Sequence, residues 1–134
     1  MKEYIMSIRP EWVELIRTGE KLVDVRTTAP NPRRMSTEKP ATVWIYETKA
    51  GGGRGAVVGW FMCPSIRHSN MYREEHRRQA SRLSCVSEEG LLAMQGKRAA
   101  LWLWEISDPQ WLERPRPLAE FGVKCPPMSW RGLK

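Results

Sequence analysis

The sequence predicts an α+β domain. Strand-like and helix-like segments run in the order strand, helix, strand, loop, strand, strand, helices, strand and irregular end. No repeat and no regular strand–helix–strand unit appears, which favours a small mixed sheet or barrel with helices at its edge. The chain has 134 residues, 41 % of them apolar, enough for one domain (residues 1–134) that buries a core without disulfides or metals.

The elements follow from local chemistry. Residues 3–8, EYIMSI, are mostly apolar and suit a short strand. Pro10 sits where a first helical turn tolerates it, and Trp12, Val13, Leu15 and Ile16 then recur at helical spacing up to Thr18. Gly19 is a good residue to end that helix. Residues 21–28, KLVDVRTT, alternate as a strand, with Val23 and Val25 on one face and Asp24 and Arg26 on the other. Prolines at 30, 32 and 40 make residues 29–40 a loop.

Residues 42–48, TVWIYET, are β-branched and aromatic and read as a strand. AGGGRG at 50–55 lacks the Lys-Ser/Thr ending of a phosphate loop and has no helix after it. It reads as a hairpin loop leading to a strand at 56–63, where Gly59 marks a bulge or a close backbone approach. Residues 67–83 hold five arginines and two histidines; they suit a solvated helix with ion pairs or, alternatively, a nucleic-acid surface. Ser87-Glu88-Glu89 starts a further helix that Gly96 ends. Residues 98–108 form a strand apolar on both faces, hence central. The prolines after it argue against long regular structure, and WRGLK is a short closing strand or a tail.

The formal charge of +7 and pI of about 9.7 favour a polyanion such as RNA, a nucleotide or DNA, or an anionic membrane surface. Three unpaired cysteines and two histidines lack zinc spacing, so neither a metal nor another cofactor is expected. No apolar run approaches the ~20 residues of a membrane span, and no signal pattern opens the chain, so a cytoplasmic protein is expected.

Four segments resemble the ASCH domain, a branch of the PUA-like superfamily. Gly19-x-Lys21-x-x-x-x-Arg26 matches the family's GxKxxxxR signature directly after an amphipathic helix. VWIYET with VVGWF is similar to its paired strands, and ALWLWEISD with Pro117-Leu118 and Glu120-Phe121 to its later strand and the segment after it. Cys125-Pro126-Pro127-Met128-Ser129-Trp130 is similar to its terminal PPxSW. The four occur in family order across nearly the whole chain. The resemblance implies a PUA-like mixed β-barrel of about five to six strands with flanking helices, and a pocket between the first helix and the barrel. It further implies binding of RNA or a modified nucleotide. Some family members are instead amidohydrolases acting on acetylated cytidine, and others ribonucleases.

Lys21 follows a helix C-terminus, whose negative dipole end favours its charge. Arg26 offers a planar fork for phosphate or carboxylate, and Asp24 either pairs with it in a surface salt bridge or aims it at a ligand. Tyr46 and Trp130 are aromatic rings for stacking on a base or, alternatively, core plugs. Ser129 follows a rigid Pro-Pro pair that would fix its hydroxyl. A metal-free ribonuclease needs a base, an acid and a charge stabiliser. Tyr46, Lys49 and Ser129 fill such a set, with Lys21 or Arg26 stabilising. Candidates for chemistry are therefore Lys21, Tyr46 and Ser129, and for the ligand Asp24, Arg26, Lys49 and Trp130. The amidohydrolase-type members use a Lys, a Thr three residues later and a Glu. Here position 24 is Asp, and Glu74 and Glu89 are the candidates for the last role. A further alternative is a partner-binding scaffold.

Overall fold

A computed structural model of the chain describes residues 2–133. The strands are β1 (Glu3–Ile8), β2 (Val23–Arg26), β3 (Ala41–Glu47), β4 (Ala56–Cys63), β5 (Ile66–Ser69), β6 (Leu101–Glu105), β7 (Ser107–Arg116) and β8 (Trp130–Leu133). The helices are α1 (Pro10–Thr18), α2 (Glu74–Ser84) and α3 (Glu88–Gln95). The architecture is α+β, as expected, but with eight strands rather than five or six. They pair as two sheets, a five-stranded one ordered β7-β4-β3-β1-β8 and a three-stranded one ordered β2-β6-β5. Pairing among the described residues does not close a barrel.

Each apolar face finds a cover. Tyr4, Met6, Val43, Ile45 and Phe61 from the large sheet meet Ile66 and Trp104 from the small one in the largest buried cluster. The other face of the small sheet, carrying Val23, Val25, Leu101 and Leu103, packs against Ala80 of α2 and Leu91 of α3. Ile5, Tyr46 and Val57 on the outer face of the large sheet are covered by Leu118, Phe121 and Val123. Both faces of the small sheet are therefore buried, which explains why β6 reads as a continuous apolar run.

Several local expectations hold for the stated reasons. Pro10 opens α1, and Gly19 ends it in the left-handed region at φ 84°. Ser87 caps α3 by accepting a hydrogen bond from Gly90 N–H. Gly59 marks a close approach: a Cβ there would lie 2.3 Å from the Gln110 backbone oxygen. The β4–β7 register shifts on both sides of it.

Four expectations need correction. The β2 strand spans Val23–Arg26 and not 21–28, because the Lys21 and Leu22 backbone amides bond to Leu15 and Leu83 carbonyls instead of a ladder. The segment 67–83 is not all helix: Ile66–Ser69 pairs with β6, and α2 begins only at Glu74. The strand expected over 98–108 is split into β6 and the start of β7. Finally, the prolines do not prevent regular structure. β7 runs ten residues through Pro109 and Pro115, because it is an edge strand with one unpaired side. The final segment is a strand, β8, paired with β1. No helix of the described residues is long and apolar enough to cross a membrane.

Candidate functional site

The end of α1 delivers Lys21 into the interior. Its side chain is buried, and its Nζ donates to the Ser84 carbonyl at 2.7 Å. Ser84 ends α2, so the ammonium caps that helix and not α1, as the sequence suggested. Nζ also lies 4.8 Å from the centre of the Trp12 ring.

Burial lowers the Lys21 pKa below the ordinary 10.5; Asp24 opposes the shift, and Arg26 adds to it to a smaller extent. The folded chain therefore releases this proton at lower pH than the unfolded chain. Between the two pKa values the unfolded state holds more protons, so stability rises with pH there. Chemical denaturation of wild type and Lys21→Met at pH 7 and pH 10 checks this. The difference should move in favour of wild type at the higher pH; a difference independent of pH would refute the shift.

Arg26 fastens three distant pieces of chain. Its Nε donates to Asp24 Oδ2 at 2.5 Å, its Nη2 to the Ser7 carbonyl at 2.9 Å and its Nη1 to Ser129 Oγ at 3.3 Å. Ser7 in turn donates from its hydroxyl to the Pro127 carbonyl and from its backbone to the Ser129 carbonyl. The β1–β8 pairing sets this register, with Met6 opposite Trp130. Asp24 and Arg26 are 5 % and 17 % exposed, so the pair is a buried one and not a surface salt bridge.

Lys21, Asp24 and Arg26 line one cavity of about 320 Å³. Ser7, Arg9 and Thr48 add polar groups, and Trp12, Val25, Val86, Met94 and Met128 an apolar wall. Three basic side chains thus face a single carboxylate. The Thr48 hydroxyl oxygen is buried and has no hydrogen-bond partner among the described residues. Met128 is fully exposed at the rim.

The other candidates lie elsewhere. Ser129 reaches the site through its bond from Arg26. Tyr46 is opposite Ser7 in register, but it is buried among Ile5, Val57 and Val123 and does not line the cavity. Lys49 is exposed in the glycine turn, where its side chain lies against Gly55. Trp130 stacks edge-on with Tyr4 and tilted with Trp104, and its Nε1 donates to Thr28. Glu74 pairs with Arg78, and neither Glu74 nor Glu89 lines the cavity. Ser7, Arg9, Trp12 and Thr48 were not singled out from the sequence. Thr48 directly follows β3, and nothing in its local sequence marks it as a site residue.

No protein-family model matches the sequence, and neither does a curated protein. Solved structures do match. The ASCH protein from Zymomonas mobilis is 24 % identical at a TM-score of 0.79, over 99 % of this chain and 88 % of its own. A tyrosine-to-phenylalanine variant of that protein is 23 % identical at 0.79, over 100 % and 91 %. Its serine-to-alanine variant is 23 % identical at 0.78, over 99 % and 89 %. From end to end, then, the chain has the fold of an ASCH domain.

Proposed function

We propose that the chain binds RNA or a modified nucleotide in the cavity between α1, β2 and the segment before β8. The observation that carries this reading is the wall itself: Arg9, Lys21 and Arg26 beside Trp12 and Met128. The cations suit phosphate, and the apolar side suits a base. The volume of 320 Å³ is at the small end of the ~300–1,000 Å³ range of ligand pockets. Arg26 acts by holding Asp24, Ser7 and Ser129 in place, because its guanidinium is already engaged. Lys21 has one donor spent on the Ser84 carbonyl, and Arg9 is paired through Nε with Glu11 at 2.6 Å, which leaves its terminal nitrogens for a ligand. The net charge of +7 would draw a polyanion to the surface.

The test is the salt dependence of binding to a labelled single-stranded RNA. Affinity should fall steeply with salt. Arg9→Ala removes an exposed cation and should reduce the log–log slope by about one. Binding that ignores salt, or an Arg9→Ala slope equal to wild type, would contradict the proposal.

A second reading is metal-independent hydrolysis of RNA or of an acetylated nucleoside in the same cavity. It is favoured by a buried lysine of lowered pKa that shares a cavity with an unpartnered threonine hydroxyl. Such groups are the raw material of an activated nucleophile. The Tyr46, Lys49 and Ser129 set is less well supported, since Tyr46 is in the core and Lys49 on the turn. Incubation with acetylated cytidine and with labelled RNA, in chelator, tests this reading. Turnover lost in both Lys21→Ala and Thr48→Ala supports it; no turnover by wild type would end it.

A further inference from the structure

The Arg-rich segment encloses a second polar recess, away from the cavity above. β5 and α2 surround a space of about 170 Å³ lined by Arg67, His68, Ser69, His76, Gln79 and Leu103. This is several times the ~30 Å³ that one water occupies. The side chains of Arg67, Ser69, His76 and Gln79 can each donate a hydrogen bond, and no carboxylate is among the lining residues. Arg77 and Arg78 nearby are neutralised by Glu88 and Glu74. Arg67 forms no ion pair among the described residues. The Nδ1 of His76 is buried and has no hydrogen-bond partner among the described residues. A cation would be repelled by Arg67, and an apolar group would leave these polar atoms unpaired. An oxyanion satisfies them together.

The His68 ring belongs to the other face of the small sheet. Arg26, Trp102 and His68 are directly opposite one another on β2, β6 and β5, and the His68 ring rests on Trp102 with centroids 4.5 Å apart and planes at 37°. Arg67 and Ser69 alternate to the opposite face of β5, beside Leu103 and toward α2. The recess therefore takes its β5 side chains from Arg67 and Ser69.

We infer that the β5–α2 recess is a second site, one that binds a phosphate group of a nucleic-acid strand through Arg67, Ser69 and His76. The choice of a nucleic-acid phosphate rests on the function proposed above; the oxyanion site itself rests on the recess alone. Arg67 supplies the planar fork, and the His76 imidazole, Ser69 and Gln79 supply further donors.

The chain has two histidines, so imidazole NMR signals report on this recess directly. Inorganic phosphate and a five-nucleotide single-stranded RNA are titrated separately, at fixed pH and ionic strength. The His76 signal should shift and saturate, at lower concentration for the RNA, and the His68 signal, on the other face of the sheet, should shift less. Arg67→Ala, a surface change, should weaken both titrations at least tenfold, while Arg9→Ala leaves the phosphate titration unchanged. Unsaturable shifts, shifts indifferent to Arg67→Ala, or RNA no tighter than phosphate would overturn the inference. RNA binding that depends on Arg9 without histidine shifts would sink only this second site. Histidine shifts with RNA binding indifferent to Arg9 would sink only the first.

Discussion

Asp24→Ala is expected to lower the unfolding free energy by ~3–5 kcal/mol, the range for removing one partner of a buried ion pair. The size follows from where the charges sit. Asp24 and Arg26 are 5 % and 17 % exposed, so water cannot replace the lost carboxylate. Arg26 would be left with a carbonyl and a hydroxyl as its remaining partners. The same guanidinium ties Ser7 and Ser129 together, so the segment before β8 should loosen as well. Replacing both residues, as Asp24→Ala with Arg26→Leu, removes the stranded charge and should cost less than the sum of the single changes. Urea denaturation of the four proteins in the cycle measures this. A loss below ~1 kcal/mol for Asp24→Ala would put the pair in the surface class.

Trp104→Ala should be comparably damaging, at ~3–5 kcal/mol. Trp104 is fully buried between the two sheets, edge-on to Tyr4 and tilted against Trp130. It also stands opposite Asp24 in the β2–β6 register. Its removal leaves a cavity at the junction that fixes the site. Trp104→Phe is the informative contrast. The indole Nε1 has no hydrogen-bond partner among the described residues, and leaving such a group unpaired costs ~1–3 kcal/mol. Phenylalanine keeps an aromatic ring and removes that burden, so its cost should be well below that of alanine. Equal losses for the two variants would show that the indole is satisfied in some other way.

What the sequence disclosed depends on how local the cause was. Gly19, the helix before it and the hairpin around the glycine turn were legible because caps, periodicity and turn chemistry act within a few residues. Gly59 was legible because only a bulge or a close approach suits a glycine inside that strand. β5 was not, because IRHS is too polar to announce a strand; its conformation comes from pairing with β6. β7 was hidden for a similar reason, since the tolerance of an edge strand for proline is a property of the sheet.

The site divides in the same way. The two-residue spacing of Asp24 and Arg26 indicated that they could pair, and the structure shows that they do. Their burial could not be read, because Ser7 and Ser129 arrive from other strands. Thr48 and Arg9 reach the cavity through the β1–β3 arrangement and the start of α1, and neither leaves a local trace. Tyr46 could be read either as a ring for a base or as a core residue, because alternation indicates a face but not what covers it. Val123 and its neighbours cover it.

The most direct test of the account is to locate a bound nucleotide. A ribonucleoside monophosphate titrated into protein with labelled tryptophan and methionine side chains should shift Trp12, Met94 and Met128, which line the first cavity. Trp44 and Trp60, on the large sheet beside Phe121, should stay unchanged, and Lys21→Ala should weaken the titration. Shifts confined to Trp44 and Trp60, or no saturable shift at Trp12 and Met128, would contradict nucleotide binding in this cavity.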